Sequence, residues 1–246
     1  MIRALIAVIF VVIYCIISIP LLLIMTLVRK FSPVTAEMFM LRVVQGAFRI
    51  ILFICGTKIT VIGRENIPED EAVLFVGNHQ SLFDIVTSYC HMKNRCGYIA
   101  KDNLAHIPLL SWNMRFLLCL FLDRNDLKKG LETIKQAIEY IKQGISVFIF
   151  PEGTRNKSGD ETALNEFHRG SFKMAQRTGC SIVPVSFNNT ASIFEAQFPR
   201  VKPAHIIIEY GKPVPYGSLT REEQKNIDEH FRKIIAEMVT KNRELI

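Results

Sequence analysis

The residues able to do chemistry collect in two short stretches of this 246-residue chain. The first is Gly77-Asn78-His79-Gln80-Ser81-Leu82-Phe83-Asp84, directly after the apolar run 72–76. A carboxylate that accepts from one imidazole nitrogen fixes the tautomer and raises basicity, leaving the other nitrogen free to take a proton from a hydroxyl. His79 and Asp84, five positions apart, lie about 140° apart around a continuous helix, so they share no helical face. They meet if His79 sits on a turn and Asp84 in the first helical turn, which is half of a catalytic triad without its serine. The same residues admit a second reading: Ser81-x-x-Asp84 spells a capping box, in which Asp84 only holds a helix N-terminus.

The second stretch is Phe150-Pro151-Glu152-Gly153-Thr154-Arg155, again just past a strongly apolar run. Gly153 frees the backbone, Thr154 offers a hydroxyl, and Arg155 supplies a planar fork suited to phosphate oxygens. Glu152 can accept from a substrate hydroxyl. As a bare pattern this equally describes an ordinary turn with an exposed Glu-Arg pair. Leu122-Asp123-Arg124 brings another arginine to the end of an apolar run, and Ile182-Val183-Pro184-Val185 is apolar throughout.

Positioning these groups requires a framework, and the texture after Gly56 supplies one. Short β-branched runs at 58–62, 72–76, 97–100, 118–122, 145–150, 181–187 and 205–210 read as strands. They alternate with helical stretches at 82–92, 109–117, 127–143 and 170–178, and a last helix at 220–243. Such alternation predicts an α/β fold, a largely parallel mixed sheet covered by helices, in which chemistry gathers at the carboxyl ends of strands. Residues 199–203 and 213–217 read as loops.

The N-terminus has a different character. From Ala4 to Val28 there is no charge, and at ~1.5 Å per residue this makes a helix of roughly 37 Å, enough for a hydrocarbon core of ~30 Å. A cleavable signal peptide has a shorter apolar region, about 7 to 15 residues. Pro20 should kink the helix. Residues 37 to 55 are apolar again, with Arg42 and Arg49 on one helical face, and read either as an interfacial helix or as a core helix. The expected division is residues 1–56 as membrane-associated helices and 57–246 as the α/β domain. Residues 1–60 carry six cations against Glu37 alone, out of a net charge of +7. That basic fringe on apolar helices suits an anionic membrane rather than nucleic acid.

Composition excludes further classes. A hydrophobic fraction of 49% and mean hydropathy of +0.22 exclude disorder, and 22% charged residues exclude a protein made only of apolar spans. The six cysteines show no Cys-x-x-Cys pair and read as reduced thiols; Cys90, His91 and Cys96 lack a fourth ligand for a structural zinc. A Gly-x-Ser-x-Gly elbow, a Gly-x-x-x-x-Gly-Lys loop and a Gly-x-Gly-x-x-Gly fingerprint are all missing, so hydrolase, nucleotide and dinucleotide readings fall away.

The order and spacing of the weak patterns carry more than each alone. Asn78-His79-x-Ser81-x-x-Asp84, Lys101-x-x-Leu104-x-x-x-Pro108 leading to Leu122-Asp123-Arg124, Phe150 to Arg155, Phe167-x-x-Gly170 and Val183-Pro184-Val185 resemble the four blocks of the glycerolipid acyltransferases. Within them the likeness is to the 1-acylglycerol-3-phosphate acyltransferase family, over residues 58 to 210. That resemblance implies His79 as general base with Asp84 as its partner. It implies Arg124, Glu152, Gly153, Thr154 and Arg155 at the glycerol phosphate, and Val183, Pro184 and Val185 on the acyl side. The implied reaction moves an acyl group from a coenzyme A or acyl carrier protein thioester to lysophosphatidate, making phosphatidate at a membrane, with neither cofactor nor metal. The catalytic domain is expected on the cytoplasmic face, since Arg29 and Lys30 follow the apolar segment and only Arg3 precedes it. Alternatives are a sister enzyme using glycerol 3-phosphate or another lysolipid, and a membrane-anchored lipid-binding protein with no catalysis. One departure stands out: Ser111 and Leu118 occupy positions where many members carry glycine.

Overall fold

Three strands rich in Val, Ile and Phe are buried along their whole length and form the centre of the sheet: β2 (Leu74–Gly77), β5 (Ser146–Ile149) and β6 (Ser181–Asn188). A computed structural model describes residues 1–246 except Asn125. Around this centre lie β1 (Lys58–Ile62), β3 (Cys96–Lys101), β4 (Leu120–Leu122), β7 (His205–Tyr210) and β8 (Val214–Pro215). The order is β1-β7-β6-β2-β5-β3-β4, with β8 also on β6. All pairings are parallel except β6 with β7 and β6 with β8, so the sheet is mixed but largely parallel. Pro184, in a central strand, lies between the stretch of β6 paired to β8 (Ser181 and Ile182) and the stretch paired to β7 (from Val185). Its missing N–H therefore interrupts neither ladder.

The helices are α1 (Ile2–Phe31), α2 (Pro33–Cys55), α3 (Leu82–Tyr89), α4 (Leu110–Phe116), α5 (Leu127–Lys142), α6 (Lys173–Thr178), α7 (Arg221–Lys225) and α8 (Ile227–Arg243). One core joins Leu22, Met40 and Val44 of α1 and α2 to Phe75, Tyr98, Phe148 and Tyr210; a second sets Ala137, Met174, Phe231 and Ile235 against Leu74, Val147 and Ile182. Helices therefore cover both sheet faces. Two expectations shift: the last helix breaks at Asn226, and loop 213–217 contributes the short β8. Pro20 lies inside α1.

α1 and α2 are each long and apolar enough to cross a membrane, and most large side chains of α1 are exposed. They nevertheless lie against the α/β domain. Arg3 Nη1 donates to Ile54 O at 3.0 Å, and Arg29 binds Glu37 at 2.8 Å, so both ends of α1 are tied to α2. Arg42 and Arg49 are exposed, and each reaches a backbone carbonyl of the α/β domain. Gln45 Nε2 donates to Tyr89 O and Met92 O at 3.0 and 2.7 Å, Arg49 to Cys90 O at 3.2 Å and Arg42 to Lys93 O at 3.3 Å. These are carbonyls at and beyond the C-terminus of α3, where unpaired acceptors and the negative end of the helix dipole favour cations. The polar face of α2 thus fastens the helix that carries Asp84.

Glu37 is buried and divides its oxygens between Arg29 and Arg95, the latter at 3.2 Å. Removing it leaves two guanidinium groups facing an apolar junction between α1, α2 and β3. Glu37→Ala should lower stability by about 3 kcal/mol, whereas loss of the exposed Glu229–Arg232 pair should cost under about 1 kcal/mol. Denaturant melts of the two variants in detergent, giving equal losses, would contradict this.

Candidate active site

β2 ends at Gly77, and the chain turns through Asn78, His79 and Gln80 before Ser81 caps α3. Side chains hold that turn from both sides. Asn78 donates to Phe187 O at 3.0 Å and accepts from Phe187 N at 2.8 Å, extending the pairing of β2 with β6 by a side chain. A Cβ on Gly77 would stand 3.0 Å from Phe187 and 3.3 Å from Phe148, so only glycine fits without displacing an aromatic ring.

His79 Nδ1 lies 2.8 Å from Asp84 Oδ2. With Nδ1–H donating, Nε2 carries the free lone pair. The same Oδ2 accepts from Gln80 N and Ser81 N, each at 2.8 Å, and Oδ1 accepts from Thr190 Oγ1 at 2.5 Å. Ser81 Oγ in turn accepts from Phe83 N at 3.0 Å. The capping box and the contact to the imidazole therefore coexist, because one carboxylate makes both. Asp84 is fully buried, while the His79 side chain keeps 16% of its surface exposed. The imidazole also stacks on Phe150, with centroids 4.2 Å apart.

The loop after β5 clamps the backbone of His79. Glu152 Oε1 accepts from His79 N at 2.7 Å, Glu152 Oε2 accepts from Asn165 N at 3.0 Å, and Asn156 N donates to His79 O at 2.7 Å. Burial pushes the Glu152 carboxyl above its ordinary range, and the two N–H donors oppose that rise. Each Glu152 oxygen thus accepts one backbone N–H, which sets the carboxylate against the His79 backbone in addition to the substrate-hydroxyl contact expected of it. Gly153 has φ 73, and a Cβ there would meet Arg124 Nη1 at 3.0 Å and His168 at 3.1 Å. Arg124 thus reaches the Gly153 turn from the end of β4, and Thr154 and Arg155 are exposed beside it.

Arg155 Nη1 donates to Glu195 Oε1 at 2.9 Å. Glu195 also accepts from Leu82 N at 2.8 Å and Ser81 Oγ at 2.6 Å. Sequence reasoning missed both Glu195 and Thr190. They lie on the 3-10 turns that follow β6, over a hundred residues from the groups they hold, and no local pattern marks them. Val183, Pro184 and Val185 are buried in β6, with Pro184 and Val185 in register with Val76 and Gly77; they support the strand that presents His79. Among the described residues no three His, Cys, Asp or Glu side chains gather as metal ligands.

Leu118 shows what its departure from glycine entails. Its φ is 63, in the left-handed region, and its carbonyl oxygen lies so close to Gly97 that a Cβ there would collide with it. A leucine in that conformation costs roughly 1–2 kcal/mol, offset by burial of its side chain.

A family model described as Acyltransferase matches residues 58–188. The 1-acyl-sn-glycerol-3-phosphate acyltransferase of Borreliella burgdorferi is 31% identical over 206 residues, 82% of this chain and 78% of that protein. The enzyme of the same name in Saccharomyces cerevisiae is 28% identical over 80% of this chain and 64% of its own length. A chloroplastic one from Arabidopsis thaliana is 37% identical over 55% of this chain and 37% of its own length. The crystal structure of the Thermotoga maritima 1-acyl-sn-glycerophosphate acyltransferase superposes with a TM-score of 0.80 at 24% identity, covering 98% of this chain and 95% of that one. That likeness extends through α1 and α2 and concerns the fold.

Thr190→Val removes one donor from a buried carboxylate, which should lower stability by ~1–3 kcal/mol. Thr190→Ser keeps the hydroxyl and should recover most of it. Thermal unfolding of both variants in the same detergent decides the point, and a Val variant as stable as the parent would show the bond to be idle.

Proposed function

The chain belongs to the acyltransferase family, and we propose that its His79–Asp84 pair drives the acylation of a 1-acylglycerol 3-phosphate. The activity is that of a 1-acyl-sn-glycerol-3-phosphate acyltransferase, an O-acyltransferase of phospholipid synthesis. One observation carries the assignment of the base: His79 Nδ1 is committed to Asp84 at 2.8 Å, which leaves Nε2 on a partly exposed ring to receive a proton.

In this reading the free hydroxyl of lysophosphatidate gives its proton to His79 Nε2 as its oxygen bonds to the carbonyl carbon of an acyl thioester. The carbon–sulfur bond then breaks, the thiolate of coenzyme A or acyl carrier protein takes the proton from His79, and phosphatidate leaves. No acyl-enzyme is needed, and the hydroxyl of the motif, Ser81 Oγ, is committed to Glu195 and to Phe83 N. Asp84 holds the imidazole and stabilises the imidazolium that forms. Glu152 acts from below, fixing the His79 backbone.

The acceptor phosphate is assigned to Arg155 and Arg124, with Gly153 and Thr154 forming the turn between them. Each charge-assisted contact contributes on the order of 1.5–3 kcal/mol. Arg155 spends one N–H on Glu195, which orients the guanidinium and leaves its remaining donors for phosphate. Val183 to Val185 act on the acyl side through the packing of β6. The acceptor's own acyl chain stays in the bilayer held by α1, so one substrate arrives by lateral diffusion and the other from water. The basic fringe of residues 1–60 suits the anionic lipids of a cytoplasmic leaflet, which supports a catalytic domain on the cytoplasmic side.

His79→Ala should lower thioester consumption by ~10²–10⁴-fold with the fold and membrane attachment retained; residual activity near the parent's would remove His79 as the base. Arg155→Ala should raise the KM for lysophosphatidate with kcat nearly unchanged, the signature of an interaction made in both ground and transition states. An acceptor lacking phosphate should be indifferent to that change, and an equal loss on both acceptors would sink the phosphate assignment.

A further inference from the structure

Trp112 is the only tryptophan of the chain, and it is 53% exposed, with Leu110 at 38% and Ile107 at 46% nearby. The turn leading into α4 presents them. Leu109 has φ 63 and ψ −51, and Leu110 N donates to Pro108 O at 2.7 Å, the geometry of a γ-turn. Such a turn is strained for a residue with a side chain. Here conformational cost is spent on turning large apolar groups outward, which water does not reward.

The neighbouring residue shows where this ridge lies. Asn113 is buried; it donates to Ser18 Oγ at 2.9 Å and to Leu109 O at 2.8 Å, and accepts from Tyr14 Oη at 3.3 Å. α4 is therefore docked on the middle of α1 by polar groups, of which Ser18 and Asn113 are buried and Tyr14 is half-buried. On α1, the residues flanking Tyr14 and Ser18 include Ile13, Ile16 and Ile17, all exposed and apolar. The ridge continues the apolar surface of α1. Its rim is cationic: Lys101 and Arg115 are exposed, and the nearby acid, Asp102, faces His106 at 3.6 Å. An indole at an apolar boundary beside cations matches the headgroup layer of a bilayer.

We propose that Ile107, Leu110 and Trp112 form a second lipid-contacting surface, seated at headgroup depth in the same leaflet that receives α1. The proposal rests on α1 being the membrane-buried element. Its consequence is geometric. A domain held by one helix is free to roll about that helix, and a second contact on α4 fixes the roll, so that the partly exposed His79 ring meets the bilayer at one angle.

A single tryptophan makes the test direct. Full-length protein is bound to phospholipid vesicles containing brominated phospholipid, and Trp112 emission is read against aqueous acrylamide. Bromine near the headgroup end of the acyl chain should quench Trp112 strongly, bromine near the chain terminus less, and acrylamide weakly. A reporter variant, Trp112→Phe with Val12→Trp, places the indole on the exposed face of α1 and monitors that helix separately. If Val12→Trp is quenched by bromine while Trp112 answers only to acrylamide, the second surface is wrong and the α1 reading stands. If neither indole is quenched by bromine, the membrane role of α1 fails and takes this surface with it. Trp112 shielded from both quenchers means that protein covers it, which also overturns the proposal. Leu110→Ser with Trp112→Ser should lower turnover of bilayer-embedded lysophosphatidate several-fold and leave a dispersed short-chain acceptor unaffected; equal effects on the two acceptors count against it.

Discussion

The carboxylate of Asp84 is the constraint around which the rest is arranged. It is fully buried and accepts from His79 Nδ1, two backbone N–H groups and the Thr190 hydroxyl. A buried anion without such donors is expelled or neutralised, so the turn after β2, the start of α3 and the 3-10 turn after β6 must all be in place for it to exist. Conversely, once it exists, the imidazole has one orientation. The site inherits its precision from the requirement to satisfy one charge.

The outer parts of the molecule serve the same turn. Gln45, Arg42 and Arg49 of α2 engage the carbonyls at the far end of α3, while Glu195 and Asp84 hold its N-terminus. A helix of two turns is marginal alone, and here each end carries groups of the sign that suits the helix dipole. The apolar helix hairpin, long enough to cross a membrane, is thereby coupled to the element that carries Asp84. Its apolar side faces outward and its polar side is spent on α3.

The spacing of the two motif stretches was legible because their contacts are local in part: Ser81 and Asp84 close a capping box within four residues, and strand texture placed both stretches at carboxyl strand ends. The choice between a capping contact and a contact to the imidazole was not legible, since the same three-residue spacing serves the first and permits the second, and the structure shows one carboxylate making both. The backbone contacts of Glu152 were hidden for a related reason. An exposed Glu-Arg pair and a buried clamp look alike in sequence, and only the approach of His79 N and Asn165 N distinguishes them.

Local order in the chain determined the strands, the helices, the apolar N-terminus and the pairing of His79 with Asp84, because periodicity and turn chemistry act over a few positions. The tertiary structure alone decided that Thr190 and Glu195 belong to the site, that Arg42 and Arg49 face α3, and that Glu195 holds Arg155. Those pairings are between residues 40 to 114 positions apart, and they arise from which strand lies beside which. Sheet order, with β6 next to β2, brings the 190–195 segment over the N-terminus of α3, and no spacing along the chain encodes that neighbourhood.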